Sequence, residues 1–133
     1  MATPYIPYKT APATIRDWDW KLITKPNPVL IYISSPYTIG DQILNVRRQV
    51  ELADKILEMG HIPFVPCLAH FWHYLSPKSY EEWLRIDSAI IPRCDALLRV
   101  GGESKGADIE VETAKKLRIP VYYSLAELEN AYK

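Results

Sequence analysis

The sequence has little cysteine and no long apolar run. Of its 133 residues only Cys67 and Cys94 are cysteine, and they stand in no metal-binding or redox spacing, so we predict two reduced, mostly buried thiols. No apolar stretch approaches the roughly 20 residues of a membrane span, and the N-terminus lacks the apolar segment of a signal peptide. We therefore expect a soluble, cytoplasmic protein with no membrane partner.

An excess of one charge is also missing. Sixteen basic residues balance sixteen acidic ones, so no overall field attracts nucleic acid or an anionic surface, and no nucleic-acid partner is expected. The chain is 48% hydrophobic and 24% charged, which is ordinary for a globular protein. Its length suits one domain with a core of its own.

The N-terminal residues 1–28 differ in composition from the rest. They hold five of the eleven prolines together with several aromatic residues, and proline at this density blocks regular structure. We predict an N-terminal extension over 1–28 and an α/β domain over 29–133. Two alternatives stay open for the extension: packing along the domain or a partner subunit, or poor order.

From residue 29 the pattern alternates between strands and helices. Apolar runs predict strands over 29–34, 61–66, 96–100 and 119–123. Helices are expected to begin after Asp41, Ser79, Ser104 and Ser124. In the first helix we expect a buried stripe of Ile43, Val46, Val50, Ala53 and Leu57. Residues 67–78 are interpreted as an irregular aromatic loop.

This alternation predicts a flavodoxin-like or Rossmann-like three-layer sandwich with a parallel sheet of four to five strands in the order 2-1-3-4. Ligands of such sheets bind where the strand order reverses, here between strands one and three. The loops at that point are 34–37 and 101–106, and both are polar. A site is therefore expected where they meet.

The helix after Ser104 carries several acidic residues. Only one side of this helix can face the crevice, so these residues cannot all lie there. At roughly 100° per residue, Asp108 and Glu112 lie about 160° to 200° around the helix from Glu110. We predict that Glu110 faces the crevice. Its role stays open at this point: a surface residue, a ligand of ribose hydroxyls, or a nucleophile toward an anomeric carbon.

The two loops suit a nucleoside or nucleotide. They offer hydroxyls, an aromatic ring and the free N–H groups of a helix N-terminus. The loop 101–106 lacks the Lys-Ser/Thr ending of a P-loop and the spaced glycines of a dinucleotide fingerprint. ATPase and dehydrogenase activities are accordingly poor interpretations.

Four segments occur in a recognisable order. They are Ile-Tyr-Ile-Ser-Ser-Pro-Tyr at 31–37, Glu-Trp-Leu-Arg-Ile-Asp at 82–87, Cys-Asp-Ala-Leu at 94–97 and Ser-Lys-Gly-Ala-Asp-Ile-Glu at 104–110. Together they resemble the nucleoside 2-deoxyribosyltransferase superfamily, which includes the deoxynucleoside 5′-monophosphate N-glycosidases. The resemblance runs from about residue 29 to 123.

The resemblance implies cleavage of the N-glycosidic bond of a 2′-deoxynucleoside or its 5′-monophosphate, with no metal or other cofactor. Glu110 would be the nucleophile, forming a covalent deoxyribosyl intermediate that is released to water or to a second base. Tyr32 would hold that carboxylate, and Asp87 would bind the sugar or deliver a proton to the leaving base. We expect burial beside Trp83 to raise the pKa of Asp87 and the helix dipole to keep Glu110 ionised.

Further residues are candidates for binding the substrate. They are Ser34, Ser35, Tyr37, His70, Ser104 and Gly106. A hydroxyl at position 104 favours a 5′-phosphate, whereas the first loop lacks the Gly-rich, Arg-containing run of known monophosphate hydrolases. His70 and His73 are interpreted either as base contacts or as packing residues, since no third ligand has metal spacing.

The resemblance also implies a homo-oligomer, a dimer or higher, with sites shared between subunits. A different class of function stays open beside the enzyme. The same fold could serve as a non-catalytic nucleotide-binding or sensing module, and a flavin-binding protein is a third interpretation.

Overall fold

The computed structural model describes residues 28–133. The predicted extension over 1–28 thus falls, but for its last residue, outside the described residues. The elements in order are β1 (Leu30–Ser34), α1 (Gln42–Glu58), β2 (Ile62–Phe64), α2 (Ala69–Leu75), α3 (Tyr80–Ile90), β3 (Ala96–Arg99), α4 (Lys105–Lys116), β4 (Val121–Tyr122) and α5 (Leu125–Ala131). Single 3-10 turns precede α2 at Pro66–Leu68 and follow α3 at Ile91–Arg93.

The sheet is parallel and has the predicted strand order. Its four strands run β2-β1-β3-β4, and β1 pairs with β2 on one side and β3 on the other. Tyr32 lies opposite Phe64 in one pairing and opposite Leu97 in the next. The α/β fold and the order 2-1-3-4 are therefore confirmed.

Helices cover both faces of the sheet. Alternate side chains of β1 point to opposite faces, so Ile31 and Ile33 join one apolar cluster while Tyr32 joins another. The first cluster includes Ala53 and Ile56 of α1 and Leu128 of α5. The second includes residues of α4 and of the turn after α3, namely Ile91, Val111 and Ala114. Burial on two faces explains why β1 is apolar throughout.

The predicted helix starts coincide with side-chain caps. Each capping oxygen accepts a hydrogen bond from the backbone N–H three residues on, and the four caps are Asp41, Ser79, Ser104 and Ser124. These caps satisfy N–H groups that a helix cannot bond internally. Both cysteines are buried free thiols, as predicted. Among residues 28–133, no helix is long and apolar enough to cross a membrane.

The interpretation of residues 67–78 as an irregular loop is wrong. Most of this segment is helical, first as the turn Pro66–Leu68 and then as α2. Pro66 begins the turn, where a proline fits because its missing N–H is not needed. The apolar side chains of α2 face outward, so the segment lacks the usual signature of an amphipathic helix packed on a core.

The stripe predicted for α1 is also partly wrong. Ile43 and Leu57 are more than half exposed, whereas Asn45 and Gln49 are buried. The buried face is therefore rotated from the predicted one, and it includes two amides.

The loops after β1 and β3 pack directly on each other. Gly101 has a φ of +84°, a conformation that favours glycine, and a Cβ atom there would lie 2.7 Å from Cδ of Pro36. The neighbouring Gly102 has no atom within 4 Å of its corresponding position. Glycine at 101 thus allows the two polar loops to meet.

Replacing Gly101 with alanine should therefore destabilise the protein by about 2 kcal/mol, from the left-handed φ and the collision with Pro36. Urea denaturation measures the change. Gly102→Ala is the matched control and should change the free energy of unfolding by less than about 1 kcal/mol. Equal losses in the two variants would contradict the proposed contact.

Candidate active site

Glu110 lies on the inner side of α4, under the carboxyl end of β1. Ser104 caps the helix by accepting a hydrogen bond from the Ala107 N–H at 3.2 Å. Glu110 is only 9% exposed, whereas Asp108 is exposed on the other side and lies 3.6 Å from Arg99. The helix therefore separates the two carboxylates as its periodicity requires.

Two hydroxyls of β1 hold the Glu110 carboxylate. Tyr32 Oη donates to Oε2, and Ser34 Oγ donates to Oε1 at 2.9 Å. Both donors are fully buried, and they share one face of β1 because they are two residues apart. Burial and the neighbouring Glu110 raise the pKa of Tyr32 well above its usual value, so Tyr32 remains a hydrogen-bond donor.

Both carboxyl groups of the site hold protons more strongly than usual. Burial raises the pKa of Glu110 to about 7, although the hydrogen bonds from Tyr32 and Ser34 lower it. Burial likewise raises the pKa of Asp87 to about 6, in the predicted direction. The helix dipole was expected to favour the ionised form of Glu110, and desolvation opposes it by raising the pKa of this carboxyl group. The two carboxyls have similar rather than opposed environments.

A cavity of about 650 Å³ opens beside these two groups. The predicted site residues that line it are Ser35, Tyr37, His70, Asp87, Ser104, Gly106 and Glu110. Tyr32 and Ser34 do not line the cavity but lie behind Glu110, which they contact. The fold therefore places every predicted site residue either on this cavity or against the carboxylate that faces it.

His70 and His73, each interpreted as either a base contact or a packing residue, have different hydrogen-bond partners. His70 Nδ1 lies 2.5 Å from Tyr37 Oη, so these two side chains form one wall of the cavity. His73 Nδ1 accepts hydrogen bonds from Trp83 Nε1 at 2.8 Å and from the Lys78 N–H at 3.1 Å. His73 thus orients Trp83, and it also lines the cavity. Within the described range 28–133, no group of three or more His, Cys, Asp or Glu side chains could hold a metal ion.

Sequence reasoning missed Gln49 of α1, which joins two cavity loops. Its Nε2 donates to Ser35 Oγ at 2.8 Å and to the Ile33 carbonyl at 3.2 Å, and its Oε1 accepts from the Cys67 N–H at 2.9 Å. Gln49 is 1% exposed. All its polar bonds are internal, so it fixes the loop after β1 to the segment after β2.

Asn45 does a similar task one turn earlier. Its Nδ2 donates to the carbonyls of Tyr37 and Ile39 at 2.9 and 2.8 Å. Asn45 and Gln49 are four residues apart on the face of α1 that also carries Val46 and Ala53. Two amides four residues apart beside an apolar stripe are the sequence pattern that could have predicted their burial.

Two lysines add positive charge at the cavity. Lys78 and Lys105 both line it, and Lys105 is the first residue of α4. The Lys78 ammonium lies 5.4 Å from the centre of the Trp72 ring. Neither lysine was predicted, because a single exposed lysine in a sequence carries no positional information.

A parallel sheet in the order 2-1-3-4 with helices on both faces defines an α/β protein of the flavodoxin-like class, and its cavity lies at the switch point where such sheets bind their ligands. Comparison with solved structures finds the same fold in a 2-deoxyribosyltransferase from the psychrotolerant bacterium Bacillus psychrosaccharolyticus, with a TM-score of 0.51, 20% identity and coverage of 69% of each chain. That enzyme is described as a biocatalyst for the synthesis of antiviral and antitumoral nucleosides.

Residues 29–124 match the model of a family described as a domain of unknown function, DUF7768, and the chain belongs to this family. The matched range lies within the domain predicted over 29–133. No curated protein matches the chain.

The raised pKa of Glu110 has a consequence for stability. A carboxyl whose pKa is about 7 when folded and about 4.5 when unfolded keeps its proton longer in the folded state, so stability falls as pH rises from 4.5 to 7. The loss should reach roughly 3 kcal/mol. Glu110→Gln should remove the loss of stability that is due to Glu110. The smaller loss with rising pH that is due to Asp87 should remain.

Thermal melts between pH 4 and pH 8 measure this effect. At pH 8 the Glu110→Gln protein should melt at a higher temperature than the wild type. Glu112→Gln, on the exposed side of the same helix, is the control and should follow the wild-type profile. A wild-type stability that does not fall across this range would contradict the burial of an ionisable Glu110.

Proposed function

We propose that this protein cleaves the N-glycosidic bond of a 2′-deoxynucleoside or its 5′-monophosphate through a covalent deoxyribosyl–Glu110 intermediate. The observation that carries the proposal is the buried Glu110 carboxyl group, held by Tyr32 and Ser34 and open to a cavity that Asp87 also lines. A cavity of about 650 Å³ lies within the usual range for small-molecule sites. The shared fold with a deoxyribosyltransferase supports the proposal.

In the first step, an ionised Glu110 oxygen attacks C1′ of the sugar. The bond between C1′ and the base nitrogen breaks, its electron pair stays on the base, and Asp87 supplies the proton that the departing base takes up. The hydrogen bonds from Tyr32 and Ser34 orient the carboxylate and stabilise its ionised form.

In the second step, water or a second base attacks C1′ and releases Glu110. The attacking group loses a proton, which returns to Asp87, so the enzyme ends in its starting protonation state. The acceptor decides whether the reaction is a hydrolysis or a transfer.

The cavity walls suggest how the rest of the substrate is bound. Tyr37, His70 and Trp83 offer aromatic surface for a base. Ser104 and Lys105 also line the cavity, and with the start of α4 they suit a 5′-phosphate, because free N–H groups and positive charge stabilise an anion there. This arrangement favours the monophosphate over the free nucleoside.

Incubating the protein with a panel of deoxynucleosides and their monophosphates, with and without an acceptor base, tests the activity. Chromatography should show release of free base, and Glu110→Ala should lower turnover by about three orders of magnitude or more, since it removes the covalent route. Glu112→Ala on the outer side of α4 should keep near-wild-type turnover.

Saturable nucleotide binding with no release of base, unaffected by Glu110→Ala, would instead identify a non-catalytic binding module. Near-normal turnover in the Glu110→Ala protein would refute the role of this residue.

The two raised pKa values predict a bell-shaped dependence of kcat/KM on pH. Attack requires ionised Glu110, and the fraction of ionised Glu110 increases as pH rises toward about 7. Proton delivery requires protonated Asp87, and the fraction of protonated Asp87 decreases as pH rises above about 6. The rate follows the product of these two fractions. The maximum should lie between pH 6 and 7, and Asp87→Asn should abolish the fall on the alkaline side. An alkaline fall that persists in this variant would assign the proton to another group.

A further inference from the structure

His73 of α2 lines the proposed substrate cavity with its ring held in one hydrogen-bonding state. Its Nδ1 accepts hydrogen bonds from the indole Nε1–H of Trp83 at 2.8 Å and from the backbone N–H of Lys78 at 3.1 Å. Both partners can only donate, so Nδ1 carries a lone pair and no proton. In the neutral imidazole ring the proton is therefore on Nε2, and His73 is an N–H donor at that atom.

The Nε2–H group of His73 is accessible to a ligand. Among residues 28–133, every buried side-chain nitrogen or oxygen has a hydrogen-bond partner. The hydrogen bonds of His73 within that range involve Nδ1 and not Nε2, so Nε2 cannot be one of the buried atoms. Because the ring lines the cavity, its Nε2–H is available to a substrate bound there.

His73 lies at the end of the cavity that suits a base. Its ring packs against Trp83, with centroids 5.8 Å apart, and His70 lies one turn earlier on α2 against Tyr37. These are the aromatic side chains proposed to contact the base. Trp83 and Asp87 both line the cavity and are four residues apart on α3, about 6 Å along the helix axis. With Asp87 at the glycosidic nitrogen, His73 would lie toward the opposite edge of the base.

We propose that His73 selects the base of the substrate by donating its Nε2–H to an exocyclic carbonyl oxygen at that edge. The inference rests on the proposed function, which assigns a base to this end of the cavity. A 6-oxopurine or a 4-oxopyrimidine offers a carbonyl oxygen there, whereas adenine and cytosine carry an amino group. An amino group opposite Nε2–H would leave two donors facing each other with neither bonded. The tautomer fixed by Trp83 and Lys78 thus makes His73 a specificity-determining residue for keto bases.

Binding of matched nucleotides to the Glu110→Gln protein, which lacks the proposed nucleophile, tests this selection. Two pairs differ at the edge in question: the 5′-monophosphates of deoxyinosine and deoxyadenosine, and those of deoxyuridine and deoxycytidine. In at least one pair, calorimetry should give the keto member a Kd about tenfold or more below that of its amino partner. Adding His73→Asn should bring the two values within about threefold of each other, since asparagine Oδ1 still accepts from Trp83 and Lys78 but the Nε2–H donor is lost.

His61→Asn in the same Glu110→Gln background is the matched control. His61 Nδ1 also accepts from a backbone N–H, that of Val29 at 3.2 Å, but His61 is not a lining residue of the cavity. This variant should keep the preference for the keto base. Nitrogen NMR shifts of the wild type read the tautomer separately, and they should be pyridine-like at His73 Nδ1 and pyrrole-like at His73 Nε2.

Circular dichroism shows whether each variant keeps its fold. If His73→Asn does not fold, the wild-type NMR shifts and the base preference of Glu110→Gln decide the result. Equal affinities within both pairs, a preference for amino bases, a keto preference that persists in folded His73→Asn, or a proton on Nδ1 would each overturn the inference. Release of free base by the wild type without a keto preference would refute the role of His73 alone. Binding of none of the four nucleotides, together with no release of base, would refute the proposed function as well.

Discussion

The site depends on one interaction, the double hydrogen bond from β1 to the Glu110 carboxyl group. Tyr32 and Ser34 reach this group because β1 is an inner strand of the sheet and α4 packs over one of its faces. Burying a carboxyl group costs free energy, which appears as the raised pKa of Glu110. The two hydroxyls recover part of that cost and fix the orientation of the group at the cavity wall.

The remaining walls are held by residues that do not belong to the proposed chemistry. Asn45 of α1 donates to the backbone carbonyl of Tyr37, and Gln49 of the same helix donates to the hydroxyl of Ser35. Gly101 allows the loop after β3 to lie against Pro36. These contacts tie the loop after β1 to α1 and to the loop after β3, which is the kind of support that preorganises a binding site.

Much of the fold followed from local patterns. Capping residues fixed the starts of four helices, and apolar runs located the strands, because both signals operate within a few residues of the chain. The prediction failed at α2, where apolar side chains face solvent, and along α1, where Asn45 and Gln49 replace expected apolar contacts. Along α1 the two amides bond neighbouring loops instead of packing in the apolar core, and α2 has no buried apolar stripe for a periodicity rule to detect.

By itself the sequence determined the alternation of strands and helices, the strand order and the helix position of Glu110, because these depend on periodicity and general rules of connection. Only the tertiary structure decided that Ser34 would join Tyr32 in donating to this carboxylate, that Gln49 and Asn45 would hold the neighbouring loops, and that burial would raise the pKa of Glu110 as well as that of Asp87. Desolvation is the reason, since it is a property of the packed surroundings and not of any short stretch of chain.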